Sequence, residues 1–534
     1  MRMRFLAAAA LAFAAVSPAL AQQPAEPTIE LRVRSVNDLL DRVEYVAGLA
    51  GQEEAPKQFR ELVKQLSADG KGVEGIDPKR PFGVYAAMTD DVVSSPVVVM
   101  VPIADKDRFL TMLKERAGIV PEKAGDTLKV PVPLVGELHA TFANDYLYVT
   151  MRAADLDAKK LVSPKAFFAK DDGSVASLIV RVDRIPAEVR KVFLGQFEMK
   201  LAEERKQKPA GETDAEFKLK NMVFDAMVAG SKSLLDDCKE LAVRLVIDPK
   251  TDELATEVIV TPKTGTTAAK NFASLGAKTS LPAGIVSAKN TIARAGGKIE
   301  LTADLKTQLK AVVDAMVEEQ LKTAGDRAVA EKVFDAITPT LKSGELDYAI
   351  AMTGPDAKGK HSMMLAIGAK DAKEIEKLLK EFAPFIPEDA AKVTFDAETI
   401  GGFALHKVEA KQLDENFEKI FGTKTFWVAV SDTCVALSIE ESGDAIRAGL
   451  KAKPAATTAQ TVEVSVAKLV PLTDNKLKPD ELKKLMTDAF GSGPAAGKDT
   501  FTVSIEGGAQ LSIKVKLKGK AFRLMTTLEQ FKVK

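Results

Sequence analysis

The chain has 534 residues, with 75 Lys plus Arg, 75 Asp plus Glu, three His and two Cys. That length exceeds one hydrophobic core and predicts about two to four domains. The balanced charge leaves no electrostatic case for nucleic acid or an anionic membrane surface, and the two cysteines cannot form a disulfide framework.

The N-terminus predicts a processing signal over residues 1–21. Arg2 and Arg4 give a positive start, Phe5 to Val16 an apolar run too short for a stable span, and Ala19-Leu20-Ala21 a small-residue cleavage site. Residue 22 is Gln, so the lipid-bearing Cys of a bacterial lipoprotein is absent. Cleavage leaves 534 − 21 = 513 residues of net charge 73 − 75 = −2, exported to the periplasm or secreted. Retention of the segment as an anchor is the alternative. No later segment holds eighteen consecutive apolar residues, so no integral membrane span is predicted after cleavage.

Beyond the signal, one pattern recurs: a strand, helices, a β-hairpin and a closing helix. In the first copy "TIELRVRS" (28–35) is the strand, and helices are predicted over 36–50 and 56–68. "RPFGVYAAM" and "SPVVVMVPI" form the hairpin. Asp105 then caps "KDRFLTMLKERAG", whose Phe109, Leu110 and Leu113 share one face. An added hairpin, "LHATFANDYLYVTM", follows. The second copy opens at "SVASLIVRVDRIP" (174–186), with helices over 187–206 and 214–236 and a hairpin over 240–262 that turns at "DPKTD". The third opens at "GIVSAKNTIARAGG", with helices over 302–323 and 326–340, the hairpin "GELDYAIAMT"/"HSMMLAIGA" and the helix "KDAKEIEKLLKEF", which Asp371 caps. It repeats the added hairpin as "FWVAVSDTCVALSI", Asp432 matching Asp145 at the turn. The fourth runs from "TVEVSVAKLVP" (461–471) through a helix near 479–490 to a hairpin turning at Gly507-Gly508.

The copies group as long-short-long-short. They give a first half over 22–280, with subunits 28–170 and 174–278, and a second over 281–534, with subunits 283–455 and 460–534. Period-two strands joined by hairpins predict largely antiparallel sheets with one buried face, covered by helices. The fold class is α+β, as two tandem copies of a half of about 250 residues.

Chemical motifs are sparse. His139, His361 and His406 have no helical i, i+4 spacing and form no Cys/His cluster, and each reads as structural or surface. Lys263-Thr264-Gly265 follows a strand, as in penicillin-binding proteins. Its S-x-x-K partner, Ser465 to Lys468, lies downstream inside a predicted strand, and no S-D-N occurs. The K-T-G therefore reads as a strand-to-helix turn. Asp90-Asp91, Asp171-Asp172 and Glu440-Glu441 read as solvated acids at turns and strand ends, and Phe224 and Phe334 of two "VFDA" sites as core. Cys238 and Cys434 sit at non-equivalent places in the repeat, so a bond between them is disfavoured. No catalytic, cofactor-binding or metal-ligating residue is assigned.

The signal, the duplicated half and the recurring hairpin–cap–helix unit resemble a broad group of uncharacterised exported bacterial proteins of planctomycete type. The resemblance rests on architecture over most of the mature chain, implies an exported duplicated α+β protein, and carries over no site residues. The function expected is that of a non-enzymatic exported binding or scaffold protein with an unknown protein or apolar ligand as partner. A carrier of an apolar ligand such as lipid in a sheet–helix crevice, and an enzyme with a site that no motif reveals, are the alternatives.

Overall fold

A computed structural model describes residues 27–52, 54–65, 73–133, 135–169, 172–205, 214–288, 290–473, 478–491 and 497–532. The predicted signal lies outside them. The chain forms two compact units, the first Met1–Gln196, Leu234–Thr261 and Lys518–Lys534, the second Phe197–Ser233 and Pro262–Leu517. No helix among the described residues is long and apolar enough to cross a membrane.

The first unit begins with β1 (Ile29–Val33), α1 (Val36–Leu49) and α2 (Glu54–Gln65). Then come β2 (Phe82–Ala86), β3 (Val97–Pro102), α3 (Lys106–Glu115), β4 (Glu122–Ala124), β5 (Thr127–Val132), β6 (Gly136–Ala143), β7 (Tyr146–Thr150) and β8 (Ala176–Val180). The unit boundary falls within the helices α4 (Ala187–Arg205) and α5 (Asp214–Asp237), and β9 (Cys238–Asp248) and β10 (Glu253–Pro262) follow. The strands pair in the order β10-β9-β8-β1-β2-β3-β7-β6-β5-β4, an antiparallel sheet. The β6–β7 turn places Asn144 and Asp145 at φ 53° and 58°, the left-handed pair that matches the twist of a two-residue hairpin.

The second unit contains α6 (Thr267–Ser274), β11 (Lys278–Ser280), β12 (Thr291–Glu300), α7 (Ala303–Thr323), α8 (Arg327–Lys342), β13 (Glu345–Thr353) and β14 (Ser362–Gly368). It continues with α9 (Ala372–Phe382), β15 (Ala391–Ile400), β16 (Phe403–Ala410), α10 (Glu415–Phe421), β17 (Thr425–Val430) and β18 (Cys434–Ile439). It ends with α11 (Asp444–Leu450), β19 (Ala455–Thr457), β20 (Gln460–Ser465), α12 (Pro479–Phe490), β21 (Thr500–Glu506) and β22 (Leu511–Lys518). Here the strands pair in the order β22-β21-β20-β12-β13-β14-β18-β17-β16-β15, again antiparallel, with β11 and β19 paired separately. The final helix, α13 (Gly519–Lys532), lies in the first unit. The pairs β4–β5 and β15–β16 and the helix α13 are additions to the predicted elements. Pro131 interrupts the pattern of β5, and a register shift between Thr394 and Glu398 interrupts that of β15.

The expectation of one buried face per sheet is corrected by the packing. In the first unit Tyr85, Met100 and Tyr148 pack with Leu156 and Phe167 on one face, and Leu147, Ala140 and Val101 pack with Phe109 and Met112 of α3 on the other. In the second, Ala349, Ala366, Ala429, Ala436, Leu405 and Trp427 meet Ile285, Ile446 and Leu450, while Val428, Val430 and Val435 meet Ala372 and Ile375 of α9 on the opposite face. The alanine stripe explains the miss, because small side chains beneath a close-packed layer do not register as an apolar alternation. Each fully buried large side chain, such as Tyr148 or Leu405, contributes about 2 kcal/mol through apolar burial. The buried Tyr146 and Tyr148 hydroxyls donate to Pro81 O and Val162 O, both at 2.9 Å.

Candidate functional site

At one end of the second sheet, β12 finishes, β13 begins, β14 finishes and β18 begins around a cavity of about 480 Å³. Register places Lys298 of β12 directly across from Asp347 of β13, and Glu345, two residues before Asp347, projects from the same face. Lys298 Nζ therefore reaches Asp347 Oδ2 at 3.0 Å and Glu345 Oε1 at 3.3 Å, while Lys370 Nζ stands 3.5 Å from Glu345 Oε2. The Ser280 hydroxyl donates to Asp347 Oδ1 at 2.5 Å and accepts the Ala283 N–H at 3.0 Å, capping the one-turn helix Leu281–Ile285. Burial works against the Lys298 charge, yet the bonds to Asp347 and Glu345 overcome it and hold the ammonium above its ordinary range. Burial likewise opposes the Glu345 carboxylate, and Lys298 and Lys370 together bring it below the usual range. Both groups are thus fixed in their charged forms at neutral pH, which suits recognition and not proton exchange.

The cavity sits where α8 passes to β13 through Ser343 and Gly344 alone. Its floor is the strand-to-helix joint Gly368–Asp371. Asp105, at the β3–α3 joint of the first unit, caps α3 as predicted, its Oδ1 accepting the Arg108 N–H at 3.0 Å. Asp371 does not cap. It stands at the N-cap of α9 in the left-handed region, φ 54°, where its carboxylate makes no cap bond and only its carbonyl accepts Glu374 N–H at 2.9 Å. The Lys370 N–H is taken by the Thr340 hydroxyl at 2.8 Å.

The other sequence candidates separate widely. His361 N–H and Nδ1 both address Ile420 O, at 3.0 and 3.1 Å, which ties a strand start to the end of α10. His139 lies on β6 with Nε2 3.5 Å from Glu137. Lys263-Thr264-Gly265 is a turn: Thr266 caps α6 by accepting the Ala269 N–H at 3.3 Å. Ser465 is corrected from mid-strand to the last residue of β20, where it opens the one-turn helix Val466–Leu469; its hydroxyl donates to Asp499 Oδ2, while Lys468 Nζ reaches Asn290 Oδ1 at 2.5 Å. The S-x-x-K partners thus serve different neighbours. Of the acidic pairs, Asp90, Asp91 and Glu441 are exposed as expected and Asp171 lies outside the described residues, whereas Glu440 and Asp172 are half-buried. Glu440 accepts the Ala445 and Ile446 N–H groups at 3.0 and 2.9 Å and so caps α11, and Asp172 accepts the Ser174 N–H at 3.0 Å beside Arg244.

Cys238 and Cys434 are buried and neither is in a disulfide, and burial pushes the Cys434 thiol up to about 12, with Asp347 adding to the effect. A maleimide added to the folded protein is expected to modify neither thiol, and to modify both in denaturant, as read by intact mass.

No family model matches the chain, and no curated protein or solved structure matches it. The chemistry of the site therefore rests on its own geometry.

Among the described residues, one trio brings potential metal ligands within 4.8 Å of one another: Glu376, Asp396 and His406. Their spacing in sequence gives no signal, because β16 and α9 meet only through the folded sheet. The trio does not fit a cation. Lys380 Nζ already bridges the two carboxylates, 2.7 Å from Glu376 Oε1 and 2.9 Å from Asp396 Oδ2. His406 Nδ1 accepts the Asp396 backbone N–H at 3.0 Å, so the neutral ring carries its proton on Nε2. A metal-binding imidazole has the reverse arrangement, donating its remote N–H to an acceptor.

Proposed function

We propose that the protein is an exported, non-enzymatic binding protein whose second unit receives a short extended segment of a partner polypeptide in the cavity beside Lys298, Glu345 and Asp347. The observation that carries this reading is that the first unit fills the corresponding place with its own chain. There Gly75 O accepts the N–H groups of Ala104 and Asp105 at 2.8 and 3.1 Å, Asp77 N–H donates to Pro102 O at 3.1 Å, and Ile76 bridges to Ile103. Among the described residues the second unit has no such segment, because α8 joins β13 through Ser343 and Gly344. The fixed charges of Lys298 and Glu345 add polar selectivity at the pocket wall.

The correspondence rests on a further proposal, that the two units are tandem copies of one half. Support comes from the strand orders: reading β1 as β12, β2 as β13, β3 as β14, β4 to β7 as β15 to β18, and β8 to β10 as β20 to β22 turns one order into the other. Export rests on the pattern of residues 1–21.

Titration of the mature protein with the peptide Val-Glu-Gly-Ile-Asp-Pro-Lys, the sequence of residues 73–79, is expected to give saturable calorimetric binding that Thr433→Trp, at the cavity wall, abolishes. Absence of binding to the unsubstituted protein, or binding indifferent to the substitution, sinks the reading. A second reading, an apolar ligand, is favoured by a separate cavity of about 380 Å³ in the second unit lined by Met222, Val223, Ala226, Met227, Leu301 and Leu305. Organic extraction of the purified protein followed by mass spectrometry distinguishes it by releasing lipid.

A further inference from the structure

Among the described residues β15 pairs only with β16, and midway along it the register slips between Thr394 and Glu398. Asp396 stands in this bulge at φ 49°, a left-handed conformation that costs a residue with a side chain about 1 kcal/mol. What holds it there is the His406 ring, fully buried on β16, whose Nδ1 accepts the Asp396 N–H at 3.0 Å. Phe395 closes edge-on over the imidazole at 5.4 Å between ring centres. The remaining nitrogen, Nε2, has no hydrogen-bond partner and lies 3.5 Å from Glu376 Oε1.

We propose that His406 is an acid-sensitive latch on the edge strand of the second unit: in its neutral form it fixes the β15 bulge through the Asp396 N–H, and on taking up a proton it releases that bulge. The proton enters at Nδ1, which ceases to accept and confronts the Asp396 N–H as a second donor. Two acceptors are close by for the imidazolium. The Asp396 carboxylate lies 3.9 Å from Nδ1, and Glu376 Oε1 faces Nε2. Turning the Asp396 carboxylate onto Nδ1 competes with its bonds to Lys380 at 3.0 and 2.9 Å, while the Asp396 N–H loses the acceptor that fixes the bulge.

The charged groups around the ring are Glu376 and Lys380 from α9 and Asp396 from β15, while β17 presents Val428 across the pair. Burial, aided by Lys380, holds His406 below its ordinary value against the pull of the two carboxylates. Asp396 is held below the carboxylate range by Lys380, and Lys380 above the lysine range by Asp396 and Glu376, so both keep their charge through mildly acid conditions. The unfolded chain accepts the histidine proton first, at about pH 6.5. The stabilisation is therefore complete above that value and is lost as pH falls toward the lowered folded-state value.

Hydrogen exchange of residues 391–400, corrected for the intrinsic pH dependence of exchange, tests the latch between pH 7.5 and pH 5. Protection around Asp396 is expected to fall about tenfold in the wild-type protein, the loss of one hydrogen bond. In His406→Asn the amide oxygen replaces Nδ1 as acceptor at either pH, and protection is expected to stay constant. Equal protection of the wild type at both pH values overturns the proposal, as does an Asn variant that loses protection like the wild type. Nitrogen-15 spectra of the unsubstituted protein give an independent reading that needs no variant. An unprotonated Nδ1 at pH 7.5 that protonates on acidification supports the latch, and an Nδ1–H at pH 7.5 refutes it.

Discussion

Replacing Gly75 with Ala is expected to lower the stability of the first unit by about 3–4 kcal/mol, combining overpacking with a left-handed backbone. Gly75 has φ +79°, and a Cβ built on it would overlap Asp105 O, Phe109 N and Phe109 Cβ. None of these can withdraw cheaply. Asp105 is the N-cap of α3 and Phe109 is buried against Met112 and Leu147, so the backbone on both sides is already committed. The segment must lift from the joint, losing the bonds from Ala104 and Asp105 to Gly75 O. For a unit of this size the change corresponds to a fall in midpoint of roughly 10 °C by calorimetry. A shift of under about 2 °C would mean that Val73–Asp77 is not seated as described.

Removing the Asp499 carboxylate is expected to cost the second unit about 3 kcal/mol, the penalty of leaving two buried polar groups unpaired. Asp499 is 2 % exposed. Its Oδ2 accepts both the buried Ser465 hydroxyl and the Ala467 N–H, the latter at 3.2 Å, and its carbonyl accepts Val466 N–H at 2.9 Å. Asp499→Ala orphans the first two. Asp499→Asn keeps an oxygen in place and is expected to cost about half as much, since the charge assistance is lost but the geometry stays. Urea unfolding followed by circular dichroism gives both values. An alanine variant no weaker than the asparagine one would place the interaction elsewhere.

The architecture was largely legible in the sequence, and the site was not. The helices over 187–205 and 214–237 are set apart by the breakers Pro209 and Gly211, that over 479–490 lies between Pro479 and Gly491, and the Asn144-Asp145 turn follows from local residue chemistry. Such signals are carried by neighbours in the chain. The Lys298–Glu345–Asp347 group depends on the register of two strands separated by α7 and α8, and the His406 latch on a bulge no alternation rule foresees. Asp371 shows how close repetition misleads. Its sequence context resembles that of Asp105, yet Asp371 stands at φ 54° and its carboxylate makes no cap bond. Ser465 makes the same point for motif reading, because a strand that ends at Ser465 and not at residue 471 changes what the hydroxyl faces.

The lone tryptophan gives the molecule an optical asymmetry. Trp427 is buried on β17, donates its indole N–H to Glu440 O at 3.2 Å, and has the Arg447 guanidinium 4.7 Å from its ring. The first unit contains no indole. Fluorescence excited at the tryptophan band therefore reports the second unit alone, and comparing it with the whole-chain dichroism separates the melting of one unit from the other without any label.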